Sequence, residues 1–484
     1  MTHSSASETG PTGSLRPLVV DLDGTLIKTD LLIESFLLLL GAHPFRALAD
    51  LATLGQSKAA FKARIADQVM IDPQSLPLNQ IVLARLRAEK AAGRALYLAS
   101  ASNIRYVEAV AAHLGLFDGV FASDSTHNLA GTAKMNRLCV AFGAGGFDYI
   151  GDSLVDMAVW GQAAGVLVVS PSPSLRRAVS ARFPHAEIID NAGIPLKELI
   201  RAVRPHQWLK NLLIFVPLLA AHAIAAGSLT ASLLAFLSFG FCASSVYLLN
   251  DLLDLANDRR HPSKCRRPFA AGLIPLTHGL VLIPILIVIS VVLALGLPRL
   301  FLVVLASYYL LTLGYSLWLK RRVMVDVVLL ACLYGIRVVA GGVAVAVPLS
   351  VWLVAFSLFL FFSLALVKRC TELIDHVGKG AGDPPGRGYR QEDLPILESM
   401  ATASGYISVL VLALYINNPV VGHLYTVPEL LWPICAILLY WISRILVLTH
   451  RGEMHDDPVI FAVTDRISLI SGVLMVLAGV AASL

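Results

Sequence analysis

Between Asn250 and Pro268 the chain reads NDLLDLANDRRHPSKCRRP, and no other stretch concentrates as much chemistry. Asp251, Asp254 and Asp258 fall within little more than two helical turns, followed by Arg259, Arg260, Lys264, Arg266 and Arg267. On a helix, Asn250, Asp254 and Asp258 stand at i, i+4 and i+8 with Asp251 beside them, so their oxygens share one face. A face of carboxylates suits Mg²⁺, and a cationic loop after it suits phosphate. Hydrophobic runs flank the stretch on both sides, and ionisable residues in that setting are costly enough to mark a functional site. The pattern points to an enzyme at a membrane that handles a Mg²⁺-bound diphosphate.

The elements that position this stretch follow from the composition. The 484 residues are 56% hydrophobic and 15% charged, too apolar for an ordinary soluble protein. Up to about residue 195 the sequence is mixed; beyond it apolar segments long enough to span a bilayer recur near 209–227, 231–250, 277–297, 300–318, 324–347, 350–367, 400–418, 428–448 and 464–483. About nine transmembrane helices are therefore expected. Positive charge alternates between the loops. Arg204, Lys210, the 259–267 loop, Lys320 to Arg322, the loop from Lys368 to Arg390 and Arg451 share one side, against Arg299 on the other. The positive-inside rule makes the basic side cytoplasmic, in a bacterial-type inner membrane. The net charge of +5 is modest and gives no reason to expect a nucleic-acid partner. Six scattered cysteines without a CxxC pair exclude a zinc or disulfide framework. Residues 1–16 read as a disordered polar tail with no apolar leader.

Within residues 17–190, short apolar strands end in polar residues and alternate with helical stretches such as 104–113 and 135–142. That is the pattern of a doubly wound α/β domain with its site at the strand ends. Residues 27–93 read as a helical cap inserted after the first strand. Its run LLIESFLLLL at 31–40 is read as a cap core helix rather than a membrane-facing lid, since ten residues cannot cross a bilayer. Residues 191–208 form a linker in which Ile194, Leu199, Ile200 and Val203 lie near one helical face and Lys197, Arg201 and Arg204 elsewhere, an interfacial pattern. The transmembrane domain then runs over 209–484.

Two resemblances sharpen these expectations. The first strand end, Asp21-Leu-Asp23-Gly24-Thr25, together with Ser100 (or Ser102 beside it), Lys134 and the GDxxxD run Gly151-Asp152…Asp156, resembles the haloacid dehalogenase (HAD) phosphohydrolase superfamily, with all four motifs in order. The resemblance implies that Asp21 attacks phosphorus and Asp23 serves as general acid and base. It also implies that Asp152, Asp156 and the Asp23 carbonyl hold Mg²⁺ beside Asp21, with Ser100 and Lys134 stabilising the phosphoryl oxygens.

The second covers most of 200–484. NDLLDLAND resembles the first aspartate-rich motif of the UbiA superfamily of intramembrane prenyltransferases, an all-α fold of nine helices. The second carboxylate cluster of that superfamily is missing, and Lys368-Arg369-Cys-Thr-Glu372 stands in its place. With RPHQWLKN at 204–211 and YGIRVVAGG at 334–342, the pattern resembles the decaprenyl-phosphate phosphoribosyltransferase branch. There the donor is 5-phosphoribosyl diphosphate (PRPP) and a polyprenyl phosphate is the acceptor. The resemblance implies Asp251, Asp254 and Asp258, with Asn250, as metal and catalytic residues. Lys210, Lys264, Arg266, Arg267, Arg337, Lys368 and Arg369 are the expected phosphate-binding residues, because a donor with an extra phosphate needs cations beyond Mg²⁺. The fused phosphatase then suggests removal of the 5-phosphate from the lipid product. Two other readings compete: a UbiA-type transferase moving a prenyl group from prenyl diphosphate to an aromatic or other acceptor, and a transporter with a regulatory phosphatase-like domain.

Overall fold

A computed structural model describes residues 15–484 except 52–54, 56, 170–171, 190–192, 194, 379–387, 420 and 455–456. The expected tail thus lies, apart from residues 15 and 16, outside the described residues, as do Ile194 and much of the loop after Lys368. The chain forms two compact units: Met1–Ala202 with Leu249–Leu280, and Val203–Leu248 with Val281–Leu484.

The first unit is built on six parallel strands: β1 (Leu18–Asp21), β2 (Leu96–Asn103), β3 (Gly119–Ser123), β4 (Asp148–Gly151), β5 (Gly165–Val169) and β6 (Glu187–Ile189). Their order is β3-β2-β1-β4-β5-β6. β1 is central, pairing Val19 with Tyr97 of β2 on one edge and with Tyr149 of β4 on the other. Helices cover both faces, which is why β1 is apolar without alternation. Leu18 and Val20 enter one core with Leu96, Leu98 and Ile150, while Val19 enters the other with Ala99, Tyr149 and Val168. The chain runs outward from β1 through β2 to β3 and then crosses to β4 on the other side, and in open sheets of this kind the binding site lies at the strand C-terminal ends where the order reverses. The β2 strand runs to Asn103, with a register irregularity against β3 between Ala99 and Asn103.

Helices Leu31–Ala42, Pro44–Leu51, Lys58–Gln68 and Gln80–Ala91 lie between β1 and β2, as the cap reading requires. The Asp30 carboxylate caps the first of them by accepting from the Ile33 N–H. Leu39 of that helix packs with Ala47, Phe61 and Ile65, so the apolar run serves a core inside the cap.

Among the described residues, eight helices are long and apolar enough to cross a membrane: Ala226–Leu253, Leu276–Ala294, Arg299–Leu317, Val325–Ala344, Val351–His376, Gln391–Ile416, Pro428–His450 and Arg466–Ser483. They account for eight of the nine expected segments. The ninth, 209–227, is corrected. It is a 3₁₀ stretch, Pro205–Phe215, followed by the short helix Val216–Ala220. Pro217, in the first turn of that short helix, cannot continue a hydrogen-bonded helix from the stretch before it, and Lys210 and Asn211 are buried with polar partners, none of which suits a lipid-facing helix. Spanning helices are joined by small polar side chains. Ser238 donates to the Ser290 carbonyl at 2.9 Å, and Ser290 returns a bond to the Ser238 carbonyl at 2.7 Å.

The 3₁₀ stretch is seated through glycines. A Cβ on Gly240 would come within 2.7 Å of the Trp208 ring, and one on Gly341 within 2.0 Å of the Ile214 carbonyl oxygen. Backbone cannot yield as a side chain can, so Gly341→Ala is expected to cost about 1–3 kcal/mol. Gly335→Ala, in the same helix with nothing within 4 Å of its Cβ, should be neutral or slightly stabilising. Thermal unfolding of the two detergent-solubilised variants checks the contrast.

Candidate active sites

In the first unit the four motifs meet at the crevice between β1 and β4. Asp21 ends β1, Asp156 lies just beyond β4, and Lys134 enters from helix Thr132–Phe142. The Lys134 ammonium donates to Asp21 Oδ1 at 2.7 Å and to the Tyr149 hydroxyl at 2.9 Å, and lies 3.7 Å from Asp156 Oδ1. Tyr149 donates in turn to Asp156 at 2.9 Å, while Asp156 Oδ2 accepts from the Ser153 N–H and hydroxyl. Asp21, Asp152 and Asp156 each present an oxygen within 4.8 Å of the others. Gly24 makes this possible. It takes φ +78°, and a Cβ there would sit 2.2 Å from Asp152 Oδ2.

Burial raises the Asp21 carboxyl well above the usual carboxylate range; Lys134 opposes the rise, and Asp156 and Asp152 add to it. Burial and then Asp156 push Asp152 up to about 7. Three clustered carboxylates, those of Asp21 and Asp156 buried, with one ammonium carry excess negative charge, which a hard divalent cation with oxygen ligands relieves. The residues fit Mg²⁺.

The Asp23 carboxylate is held apart from that trio. It accepts from both Ser100 (2.8 Å) and Ser102 (2.7 Å) through Oδ2, and from the Leu31 N–H through Oδ1 at 2.8 Å. The two serines, left as alternatives by sequence, therefore face the same carboxylate. Lys62 of the cap reaches the same end of β2, donating to the Ala101 carbonyl at 2.6 Å and to Asn128 at 2.7 Å. Burial lowers its pKa, with Asp23 and Asp30 opposing. Sequence reading missed Lys62 and Tyr149, because neither sits in a motif.

The aspartate-rich segment also belongs to the first unit. The helix Ala226–Leu253 breaks at Asp254 and resumes over Leu255–Arg260. Hydrogen bonds from the Asp254 N–H to Asn250 O and from the Asp258 N–H to Asp254 O carry helical spacing across the break. The expected common face thus persists. Asp251 and Asp258 are buried, and Arg267 bridges them, its Nη1 lying 3.1 Å from Asp251 and 2.6 Å from Asp258. Burial raises the Asp258 carboxyl, with Arg267 opposing. Among the described residues the oxygens of Asp251, Asp254 and Asp258 do not converge as closely as those of the first trio. The clustered carboxylates nevertheless demand a cation, a role Arg267 fills in this structure. Lys264 and Arg266 lie on the adjoining 3₁₀ turn with exposed side chains. Arg259 and Arg260 face the cap, pairing with Glu34 and Asp72.

In the second unit a cationic cluster gathers around Asp457. Its Oδ2 accepts from Lys210 and from Lys368, each at 2.8 Å, and the Tyr334 hydroxyl lies 3.0 Å from both of its oxygens. Burial alone would raise the Asp457 carboxyl, but Lys368 and Lys210 outweigh it and hold it well below the usual range. Lys210 comes from the 3₁₀ stretch and Lys368 from helix Val351–Gly378, two positions 158 apart in sequence (368 − 210). Asp457 was not singled out from sequence. Its available signal is the Asp-Pro step, an N-cap before proline, and it does cap helix Pro458–Thr464.

The remaining two arginines are enclosed by protein. Arg337 donates to Asn211 at 2.9 Å, to Tyr308 at 3.0 Å and to the Leu333 carbonyl. Arg369 is 1% exposed and faces Glu372 at 2.5 Å and Asp326 at 3.6 Å. Asp326 also accepts from the Tyr389 hydroxyl at 2.5 Å.

Residues 214–464 match the family model described as the UbiA prenyltransferase family. The chain belongs to the UbiA prenyltransferase family. Among relatives of this UbiA-family chain, an uncharacterized protein, y4nM, from Sinorhizobium fredii is 34% identical over 95% of this chain and 89% of its own length. The nodulation protein NoeC of Azorhizobium caulinodans is 38% identical over 58% of this chain and 91% of its own. A decaprenyl-phosphate phosphoribosyltransferase from Mycolicibacterium smegmatis is 38% identical over 36% of this chain and 57% of its own length. Solved structures similar to the UbiA-family chain include a UbiA homologue from Archaeoglobus fulgidus bound to GPP and Mg²⁺ (16% identity, TM-score 0.46, 59% of this chain and 100% of that one). A HAD family hydrolase from Salmonella enterica serovar Typhi matches at 16% identity and TM-score 0.27, over 35% of this chain and 68% of that one. The protein is a multi-pass membrane enzyme of the UbiA family with a parallel-sheet α/β domain toward its N-terminal end.

Replacing Asp457 by Asn removes the counter-charge shared by the buried Lys210 ammonium and the partly exposed Lys368 ammonium. Uncompensated burial predicts a loss of about 3–5 kcal/mol in stability. Asp465→Asn, which breaks the more exposed pair with Arg444 (side chains 17% and 18% exposed), should cost about 1 kcal/mol or less. Thermal unfolding in detergent separates the two.

Proposed function

We propose that the chain transfers 5-phosphoribosyl from PRPP to a polyprenyl phosphate and that its HAD-like domain then removes the 5-phosphate. The observation that carries this reading is the cationic cluster of Lys210, Lys368 and Tyr334 around Asp457, in a chain without a second carboxylate motif. A prenyl diphosphate donor is served by two sets of carboxylates holding Mg²⁺, whereas a donor with a further phosphate calls for ammonium and hydroxyl donors. Similarity to decaprenyl-phosphate phosphoribosyltransferases supports the same choice.

In this reading Asp251, Asp254 and Asp258, with Asn250, would hold Mg²⁺ for the donor diphosphate. Mg²⁺ there supplies charge neutralisation for the departing diphosphate. Arg267, Lys264 and Arg266 bind its outer oxygens, and in the second unit Lys210 and Lys368 offer ammonium groups to a phosphate. Arg337 and Arg369, enclosed by protein partners, keep those cations in place by holding Asn211 and the 326–389 contact. The acceptor phosphate oxygen bonds to C1 of the ribose as the C1–O bond to diphosphate breaks. The product is polyprenyl-phosphoryl-5-phosphoribose.

In the HAD-like domain, Asp21 attacks the 5-phosphate and Asp23 gives its proton to the departing ribose oxygen. Asp23 then takes a proton from the water that opens the aspartyl-phosphate. Lys134 neutralises the phosphoryl oxygens during both steps. The serine pair on Asp23 orients its carboxyl toward the leaving group. We place the enzyme in a bacterial-type inner membrane with both centres on the cytoplasmic side, because the basic loops share that side.

Purified protein with PRPP, polyprenyl phosphate and Mg²⁺ should give a lipid-linked ribose without its 5-phosphate. Asp21→Asn should accumulate the 5-phosphorylated lipid, with hydrolysis down at least about a hundredfold. Asp254→Asn should give no lipid-linked pentose, and chelation with EDTA should stop both steps. Mass spectrometry of the lipid reads all outcomes. Product that keeps its 5-phosphate with wild type as with Asp21→Asn sinks the second step, and transfer from prenyl diphosphate instead of PRPP sinks the first.

A further inference from the structure

Glu34 is the one carboxylate inside the apolar run LLIESFLLLL, and neither proposed reaction uses it. It is buried at 6% exposure, on the helix Leu31–Ala42 of the cap. A carboxylate there needs a partner, and the partner is Arg259, the residue after Asp258. Arg259 Nη1 lies 2.5 Å from Glu34 Oε1 and Nη2 lies 3.1 Å from Oε2, a bidentate fork, while Nε donates to the Ala270 carbonyl at 3.0 Å. Glu34 Oε2 also accepts from the Thr29 hydroxyl at 2.8 Å. A second pair, Arg260 with Asp72 at 2.9 Å, lies on the solvent side.

The position of this pair gives it reach in two directions. Glu34 stands one turn into a helix whose first N–H, that of Leu31, is held by Asp23. Arg259 follows directly on Asp258 and tethers the turn at 268–273. That turn rests on the loop after Asp23: Gly272 takes φ +65°, and a Cβ on it would lie 2.8 Å from Lys28 Cβ and 3.0 Å from Pro77 Cβ. Beside the pair, a cavity of about 230 Å³ lies between Glu34 and Leu38 of the cap and Leu252 to Arg260. Close packing therefore does not by itself fix the cap helix against the aspartate segment, and the fork sets their register.

We propose that Glu34 is a positioning residue for both centres. Through Arg259 it fixes the segment bearing Asp251, Asp254 and Asp258, and through its own first turn it fixes Asp23. The proposal rests on the functional reading above. Its test compares full-length wild type, Glu34→Gln, Glu34→Asp, Arg259→Gln and the exchange Glu34→Arg with Arg259→Glu, with Asp21→Asn and Asp254→Asn as references. Three quantities are read: hydrolysis of p-nitrophenyl phosphate, transfer from PRPP, and Mn²⁺ binding followed by electron paramagnetic resonance.

Expected for Glu34→Gln and Arg259→Gln is a tenfold or greater fall in kcat for both reactions. The Asp254-dependent Mn²⁺ site should weaken several-fold; because one buried charge is left unpaired, the thermal midpoint should also fall, so each variant is assayed at a temperature at which it is still folded. Glu34→Asp should recover part of each loss. The exchange variant, if it folds, should recover more than either single charge reversal. Folded Glu34→Gln that matches wild type in either activity, or that leaves Mn²⁺ affinity unchanged, overturns the proposal. A variant too unstable to assay is judged by Glu34→Asp, where equal activity with wild type and with Arg259→Gln is the overturning result. If wild type itself does no better than Asp21→Asn and Asp254→Asn, the functional reading fails and nothing remains for Glu34 to position.

Discussion

Two like charges 4 Å apart near a protein surface repel by roughly 4 kcal/mol, and a single opposite charge between them reverses the sign. The structure repeats that arrangement three times. Lys134 lies between Asp21 and Asp156, Arg267 between Asp251 and Asp258, and Asp457 between Lys210 and Lys368. Each triad gathers groups from distant parts of the sequence or from separate turns, and each leaves a net charge for a ligand to meet. The first two retain negative charge and suit a divalent cation; the third retains positive charge and suits an anion. The strand ends, the broken helix and the 3₁₀ stretch are the backbone devices that bring like charges this close.

Legibility in the sequence followed the locality of the signal. The α/β domain was readable because β1 is apolar on both faces and because Asp21, Asp23, Asp152 and Asp156 sit in short motifs with fixed spacing. The membrane helices were readable from length and hydropathy, except where apolar composition concealed a non-spanning segment. Between 205 and 220 Pro217 and the buried Lys210 and Asn211 outweigh the apolar residues, because a spanning helix cannot leave backbone groups unsatisfied. Asp457, Tyr149 and Lys62 were not legible. Their partners are 89 or more positions away in the case of Asp457 with Lys368, and 15 in the case of Tyr149 with Lys134, and neither pairing leaves a local pattern.

Arg259 and Arg260 show how a charge can be read correctly in sign and incompletely in role. Their placement after the aspartates fits a topogenic loop, and the structure adds two ion pairs with the cap. The Arg260 side chain is 62% exposed, whereas that of Arg259 is enclosed. The difference lies in burial: the Arg259 side chain is 5% exposed, and a guanidinium that far from water keeps its charge only with a fixed carboxylate.

The cap helix also bears on where this chain can be divided. Motif reading places the end of the phosphatase-like domain near residue 190, in a segment that looks like a linker. Yet residues 249–280 cluster with that domain, and the fork from Arg259 closes over a carboxylate that has no water to turn to. A piece ending at 190 would present Glu34, Leu38 and the surface under Gly272 to solvent, with an unpaired charge in the middle of an apolar patch. The α/β domain is thus not a detachable module appended to a membrane protein. Its folding is completed by sequence that the ribosome adds some sixty residues later, after the first spanning helix has been made.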